Sequence, residues 1–396
     1  MKTATSRRVA IGTVRLGIEE LLTNQTHLLA GKKVGLVSNY TVTDSRLVPV
    51  IERFAASTAW QLTKLFGPEH GVKNSAKEGE DVDFSIDDAT GLPAYSLYGP
   101  NKKPTPEMLA DLDVLIVDLH DVGTRYYTNM NTLAYCMEAC AETGLLCVVP
   151  DRPNPIDGVT REGNILDMEY KSFVGMHPIP NRHGLTMGEL ALFINANLTK
   201  PCHLKVIKMT GWTRDMLLSD TDIPFVPSSP NTTSLHMCLL YPGTCFFEGV
   251  NLSLGRGTTH PFEYIGAPYV QAHKVTDWFN QQGLPGVVGR PIYFVPTYSQ
   301  YSGELCEGVA LHVTDARALQ PVRTGIKLLE GFAKLYSDDF AFLGLERPTK
   351  PFIDLLAGNN RLRKYVVEGR AFDYLEESKD ELTAFDGDVQ DIQLYE

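Results

Sequence analysis

The stretch LTKLFGPEHG, residues 62–71, changes character within a few positions. Leu62, Leu65 and Phe66 have the apolar pattern of the end of a buried strand. Gly67 and Pro68 then stop it, and Glu69 and His70 stand side by side ahead of a second glycine, Gly71. Proline cannot continue a hydrogen-bonded ladder, so the stop is abrupt and holds the carboxylate and imidazole at the edge of a sheet. The pattern recurs along the chain. KVGLVSN (33–39) ends in Ser38 and Asn39, and DVLIVDL (113–119) runs into Asp118, His120 and Asp121. LLCVVPD (145–151) runs into Asp151, Arg152, Pro153 and Asn154, and a fifth apolar run, LKVIKM, covers 204–209.

Short β-branched runs of this kind predict strands buried on both faces of a parallel sheet. Helical patterns separate them. In NMNTLAYCMEACAET (129–143) Met130, Leu133, Met137 and Cys140 form one apolar stripe. TMGELALFINANL (186–198) opens with Thr186 and Glu189 at capping-box spacing. Alternating strands and helices predict an α/β fold: a Rossmann-like, mostly parallel sheet with helices on both faces. Ligands bind beyond the carboxyl ends of such strands, so four polar strand ends predict one convergent site.

Past about residue 266 the character changes. RPIYFVPTYSQYSGELCEGVALHVTD (290–315) alternates as antiparallel strands do, and TGIKLLEGFAKLY (324–336) and RAFDYLEESKDELTAF (370–385) read as helices. Two domains are predicted: a Rossmann-like catalytic domain over 1–265 and a smaller C-terminal α+β auxiliary domain over 266–396, with the break near Gly266–Pro268. The second domain either walls the cleft or mediates self-association as a homodimer.

The chain of 396 residues is 43% hydrophobic, enough for two cores, and its net charge of −12 weighs against a nucleic-acid partner. Residues 371–396 hold nine acidic residues and one lysine, so −8 of that charge sits there and the remainder is near neutral. Seven cysteines, an odd number with no CxxC, predict buried thiols in a reducing compartment. No apolar run approaches the roughly 18 residues of a membrane span, so no membrane partner is expected. MKTATSRRVAIGTVRLGIEELL (1–22) reads as a mature N-terminus, because Arg15 and two glycines interrupt its apolar stretch. The expected compartment is the cytoplasm, or the periplasm or exterior if a signal has been removed.

More polar groups gather in the middle of the chain. SFVGMHPIPNRHGLT (172–186) sets Arg182 and His183 ahead of the capped helix, and VPSSPNTTS (226–234) supplies Ser229 and Asn231. YPGTCFFEGVNLSLGRGTTHPFEYIGAP (241–268) packs Glu248, Asn251, Arg256, Thr258, His260 and Glu263 among glycines and prolines, too rigid for a linker and too polar for a core. There is no GxGxxG after the first strand, no P-loop, no HExxH and no GxSxG. What remains is carboxylates, imidazoles and arginines around a cleft, with no cofactor expected.

These motifs resemble those of the bacterial exo-β-N-acetylmuramidases over nearly the whole chain. The resemblance rests on LFGPEHG (65–71), YSLYG (95–99), DVLIVDLHDVGTRYYT (113–128), VVPDRPNP (148–155), SFVG (172–175) and RHGLTMGELA (182–191). It continues through the 241–268 segment and CEGVALHV (306–313). It implies a Rossmann-like domain followed by a smaller one, and release of N-acetylmuramic acid from the non-reducing end of peptidoglycan fragments. The chain departs from the family at His120, where relatives usually carry Gln, and at SNYTV (38–42), where they usually carry Thr-Asn-Gln/Pro-Thr-Gly.

Hydrolysis of a glycoside needs a proton donor and a second carboxylate. Glu69 is the candidate general acid, with His70 and His120 as candidates to hold its proton in place. Asp121, Asp151, Glu162 and Glu263 all qualify as the second carboxylate; Asp121 and Glu263 are grouped with the catalytic set. The lactyl carboxylate of muramic acid asks for a bidentate guanidinium, and Arg125, Arg152, Arg182 and Arg256 are candidates, Arg152 and Arg182 leading. Asn39, His120, Asp151, Asn154, Glu162, His183 and Asn231 complete the expected substrate-binding set. Whether the substrate's acetamido group takes part in the displacement is open at this level. Two rival readings remain: a metal-dependent hydrolase using His70, Asp118, His120 and Asp121, and a non-catalytic muropeptide-binding protein.

Overall fold

A computed structural model describes residues 13–75 and 84–396; the start of the segment read as a mature N-terminus lies outside them. In the first half the strands are β1 (Lys33–Val37), β2 (Gln61–Gly67), β3 (Ser85–Ile86), β4 (Pro93–Ser96), β5 (Val114–Val117) and β6 (Leu146–Pro150). β7 (Glu162–Ile165) and β8 (Pro180–Arg182) form a separate antiparallel ribbon, and β9 (His203–Ile207) follows. The main sheet has the order β3-β4-β2-β1-β5-β6-β9, and each neighbouring pair is parallel except β3–β4. All five expected strands are present in it.

The apolar runs are continuous because both faces of the sheet are covered. Val34, Leu36, Val114, Ile116 and Val148 point into one core, shared with Ile18 and Leu21 of the helix Gly17–Asn24 and Phe54 of the helix Val50–Ala55. Val37, Leu115, Val117, Cys147 and Val149 point the other way, onto the helices Asn129–Thr143 and Met187–Asn197. The stripe Met130, Leu133, Met137 and Cys140 is fully buried there, and each such side chain contributes about 1.5–3 kcal/mol of burial. Thr186 and Glu189 form the expected capping box.

After β1 the chain lays β2 and β4 on one side, then returns to place β5, β6 and β9 on the other. The order therefore reverses between β1 and β5, and the loops leaving these strands open a crevice at their carboxyl ends.

The second lobe holds an antiparallel sheet of β10 (Tyr264–Ala267), β11 (Val287–Phe294) and β12 (Cys306–Val313), in the order β10-β12-β11. The position Gly266–Pro268 thus coincides with the end of a strand that pairs with β12. The helices Leu235–Thr244 and Pro321–Leu335 pack backbone to backbone, since a Cβ on Gly243 or Gly325 would collide with the facing main chain. The acidic C-terminal segment is docked. Phe385 and Val389 enter the core of the first lobe, and Tyr395 stands edge-on to Trp212 at 5.0 Å. Leu394 N donates to Glu189 at 2.9 Å and the Tyr395 hydroxyl to Asp151 at 2.6 Å.

Arg125 joins the lobes. It is fully buried, and its guanidinium donates to Asn164 O and Ile179 O at 2.8 Å in the first lobe. It also reaches Leu356 O at 3.0 Å and Ala357 O at 2.9 Å, at the end of the helix Phe352–Ala357 in the second. Removing it takes the charged donor from four buried carbonyls, of which Ile179 O retains Leu166 N at 3.3 Å and Leu356 O retains Asn181 Nδ2 at 3.4 Å. Arg125→Met is expected to destabilise the protein by about 3 kcal/mol or more, read as a lower urea midpoint; an unchanged midpoint would contradict the clamp.

Candidate active site

A Cβ on Gly67 would lie 2.5 Å from Val72 N, because the chain folds straight back after β2. Gly71 N donates to Pro68 O at 2.9 Å and Ser75 N to His70 O at 3.2 Å. His70 and Gly71 both take φ of +73°, a region open to glycine and uncommon for histidine. This compact reversal lifts Glu69 and His70 to the rim of the sheet, where strain of this kind recurs at functional sites.

Both residues line a cavity of about 400 Å³ at the carboxyl edge, between the two lobes. Tyr98 follows β4 into it, and Tyr126, Tyr127 and Thr128 follow β5. Glu248, Arg256, Phe262, Phe352 and Leu356 come from the second lobe, with Ser228, Ser229 and Asn231 between. Thr128 Oγ1 donates to Glu69 Oε2 at 2.7 Å. Arg256 pairs with Glu248 at 2.7 Å and lies over the Phe262 ring, 4.9 Å from its centroid. Tyr241 meets Phe262 edge-on at 4.7 Å, and Tyr98 leans on Phe173 at 5.8 Å.

Of the expected site residues, Glu69, His70, Asn231 and Arg256 are brought together in this cavity. The others lie outside its lining; His120, Asp121 and Arg152 line a smaller cavity of about 40 Å³ that shares Ser228 with it. Arg125 is the interlobe clamp. Arg152 takes both carboxylate oxygens of buried Asp118 and donates to Thr43 O at 3.0 Å. Arg182 binds Glu162 at 2.8 Å and Asp157 at 2.9 Å. Both guanidiniums are engaged by protein groups, and neither lines this cavity.

The expected second carboxylates are engaged too. Asp151 accepts from Arg152 N, Thr186, Gly188 N and Tyr395, and burial pushes its carboxyl up to about 6. Glu162 holds Arg182 and accepts from Val322 N at 3.1 Å, at the start of the helix Pro321–Leu335. Glu263 accepts from Ser234, the cap of the helix Leu235–Thr244, at 3.2 Å. Asp121 accepts from Gly123 N at 2.6 Å and faces His183 Nε2 at 3.1 Å. His183 Nδ1 accepts from Leu185 N, so the ring proton sits on Nε2 and points at Asp121. Asn39 closes a turn onto Thr41, and Asn154 ties Leu185 O to Ile156 N.

The rival metal set is not gathered. Asp118 is held by Arg152, and His120 Nε2 faces Thr41 O at 3.1 Å. Among the described residues no group of three or more His, Cys, Asp or Glu is placed to hold a metal ion. Residue reasoning passed over the walls. Tyr98, Tyr126, Tyr127 and Phe173 lie inside motifs quoted above, but aromatic residues next to apolar runs read as core. Glu248 belongs to the polar cluster noted in 241–268, but with no strand end to mark it the residues alone assign it no role.

The N-terminal model of the exo-β-N-acetylmuramidase NamZ family matches residues 34–236, and its C-terminal model matches 239–395. The chain belongs to this family. It is 45% identical over 356 residues to the peptidoglycan β-N-acetylmuramidase NamZ of Bacillus subtilis (strain 168), covering 90% of this chain and 85% of that protein. Two crystal structures of DUF1343 family proteins from Bacteroides fragilis share the fold, with TM-scores of 0.88 and 0.76 at 36% and 30% identity. Each comparison covers 97% of this chain and 99% of the other. The two NamZ models meet at the start of the helix Leu235–Thr244, whose far end carries the turn with Glu248.

His120 leaves a thermodynamic mark. Burial, then the neighbouring Arg152 guanidinium, pushes its imidazole down to about 3. The unfolded chain binds this proton near pH 6.5, well before the native state does. The stability contributed is therefore complete above about pH 6.5 and is lost as the pH falls towards 3. His120→Gln should flatten the acid-side loss between pH 6 and 4 by up to about 1.4 kcal/mol per pH unit. Urea titrations of both proteins across that range measure it, and parallel curves would refute a buried neutral imidazole.

Proposed function

We propose that this chain is an exo-acting β-N-acetylmuramidase, a glycoside hydrolase that releases N-acetylmuramic acid from the non-reducing end of peptidoglycan-derived saccharides. Family membership supports the reaction class. The observation that carries the site assignment is the carboxylate of Glu69, held by Thr128 in a cavity between the lobes. About 400 Å³ suits roughly one substituted sugar ring, as removal of a terminal residue requires.

In this reading the glycosidic oxygen lies against Glu69. The carboxylic acid protonates it as the bond to the anomeric carbon breaks, the shortened saccharide leaves as an alcohol, and water supplies the new hydroxyl. The bond from Thr128 to Oε2 fixes the side chain and leaves Oε1 to carry the proton. The rings of Tyr98, Phe173, Tyr241 and Phe262 offer apolar faces to the sugar's C–H groups. The lactyl carboxylate falls to Arg256, the one of the four candidate arginines that lines the cavity.

We assign the protein to the cytoplasm. All seven cysteines are unpaired and buried, which suits a reducing compartment. Among the described residues no helix is long and apolar enough to cross a membrane.

The test uses a β-linked N-acetylmuramyl–N-acetylglucosamine disaccharide. Glu69→Gln should lower kcat by about 10²–10⁴-fold while N-acetylmuramic acid still binds in calorimetry. Wild-type turnover in the variant would remove Glu69 from the acid role. Binding without turnover in the wild type would favour the non-catalytic muropeptide binder.

A further inference from the structure

The reaction needs a second carboxylate, and none of the groups the sequence offered for it, Asp121, Asp151, Glu162 or Glu263, lines this cavity. The cavity itself answers. Among its described lining residues the acidic side chains are Glu69 and Glu248. They come from different lobes: Glu69 from the reversal after β2, Glu248 from the single turn Cys245–Gly249 that follows the helix Leu235–Thr244.

We propose that Glu248 is the second catalytic carboxylate, the group that faces the anomeric carbon and balances the positive charge developing there, with Arg256 as its positioning residue. This rests on the muramidase reading above and deepens it.

Three observations carry the proposal. The first is the contrast in partners. Glu69 meets a neutral hydroxyl at 2.7 Å, a partner compatible with a carboxyl group that gives up and regains a proton. Glu248 meets a guanidinium at 2.7 Å, a partner suited to a group that works as an anion. Two carboxylates in one cavity with environments of opposite kind is the arrangement that divides acid from charge-stabilising work.

The second is the rigidity of the mount. Phe246 and Phe247 are fully buried, and a Cβ on Gly249 would lie 2.6 Å from the Ile353 side chain. The turn is pinned on both sides of Glu248, which leaves that side chain turned to the cavity.

The third is the backbone around Arg256. Gly255 and Gly257 flank it with φ of +79° and +78°. A Cβ on Gly255 would lie 2.5 Å from His260 O, and one on Gly257 2.7 Å from Tyr298 N. Two consecutive constraints that only glycine meets, one on either side of the arginine, fix where the guanidinium emerges. Its stacking over Phe262 completes the hold.

The experiment compares two substrates, the β-linked disaccharide and an aryl β-N-acetylmuramide whose acidic phenol departs without protonation. On the disaccharide, Glu69→Gln and Glu248→Gln should both lose kcat, each by about 10²-fold or more. On the aryl glycoside Glu69→Gln should recover to within about tenfold of the wild type, whereas Glu248→Gln should remain as impaired as before. Glu248→Asp keeps the charge and withdraws it by one methylene; it should lose kcat on both substrates while binding N-acetylmuramic acid like the wild type. Either Glu248 variant turning over the aryl glycoside within about threefold of the wild type overturns the proposal and leaves the muramidase reading intact. Variants that lose product binding together with turnover make Glu248 a structural residue and overturn it as well. A wild type that hydrolyses neither substrate removes the underlying reading and this assignment with it.

Discussion

The four hydrogen bonds of Arg125 are the constraint on which the site depends. Two of its acceptors belong to the first lobe and two to the end of the helix Phe352–Ala357 in the second. The residues that immediately follow it, Tyr126, Tyr127 and Thr128, line the cavity, as do Phe352 and Leu356 of that helix. One buried cation thus sets the distance between the walls that face the substrate. A buried guanidinium without acceptors would be strongly unfavourable, so the lobes can settle only where all four carbonyls reach it.

Most of the polar chemistry at the strand ends serves this kind of framing. Asp118 with Arg152, Glu162 with Arg182, and Asp121 with His183 are buried pairs that fix loops behind the cavity. Asp151 and Glu189 receive the C-terminal segment. Among the described residues the groups that line the open volume are fewer: Glu69, His70, Asn129, Asn231, Glu248, Arg256 and a set of aromatic rings, apolar side chains and hydroxyls. A large scaffold of satisfied polar pairs around a small working set is what precise placement requires.

The architecture was legible in the residues. Strands buried on both faces have no polar side to interrupt them, so β1, β2, β5, β6 and β9 stood out as apolar runs, and the stripe Met130–Cys140 and the Thr186–Glu189 box marked their helices correctly. The convergence of strand ends was legible for the same reason, since a parallel sheet with a reversal of order has one crevice. The division of labour was not. Residue type says that Arg152 can grip a carboxylate, but not that Asp118, 34 positions away in sequence, already holds it. Glu248 stands in the polar cluster of 241–268, but no strand end marks it and its neighbours Phe247 and Gly249 are buried, so residue type alone gives it no role. Pairing across the fold decides such cases, and no local pattern encodes it.

The docked C-terminal segment has a mechanical meaning. The chain leaves the first lobe near the helix Leu235–Thr244 and returns to it through Phe385, Val389 and Tyr395. The second lobe is thereby tethered at both of its ends, and a body anchored at two points resists the wide swing that a single connecting strand would permit. Two anchors of this kind keep the walls of the crevice in register while a saccharide is bound and released.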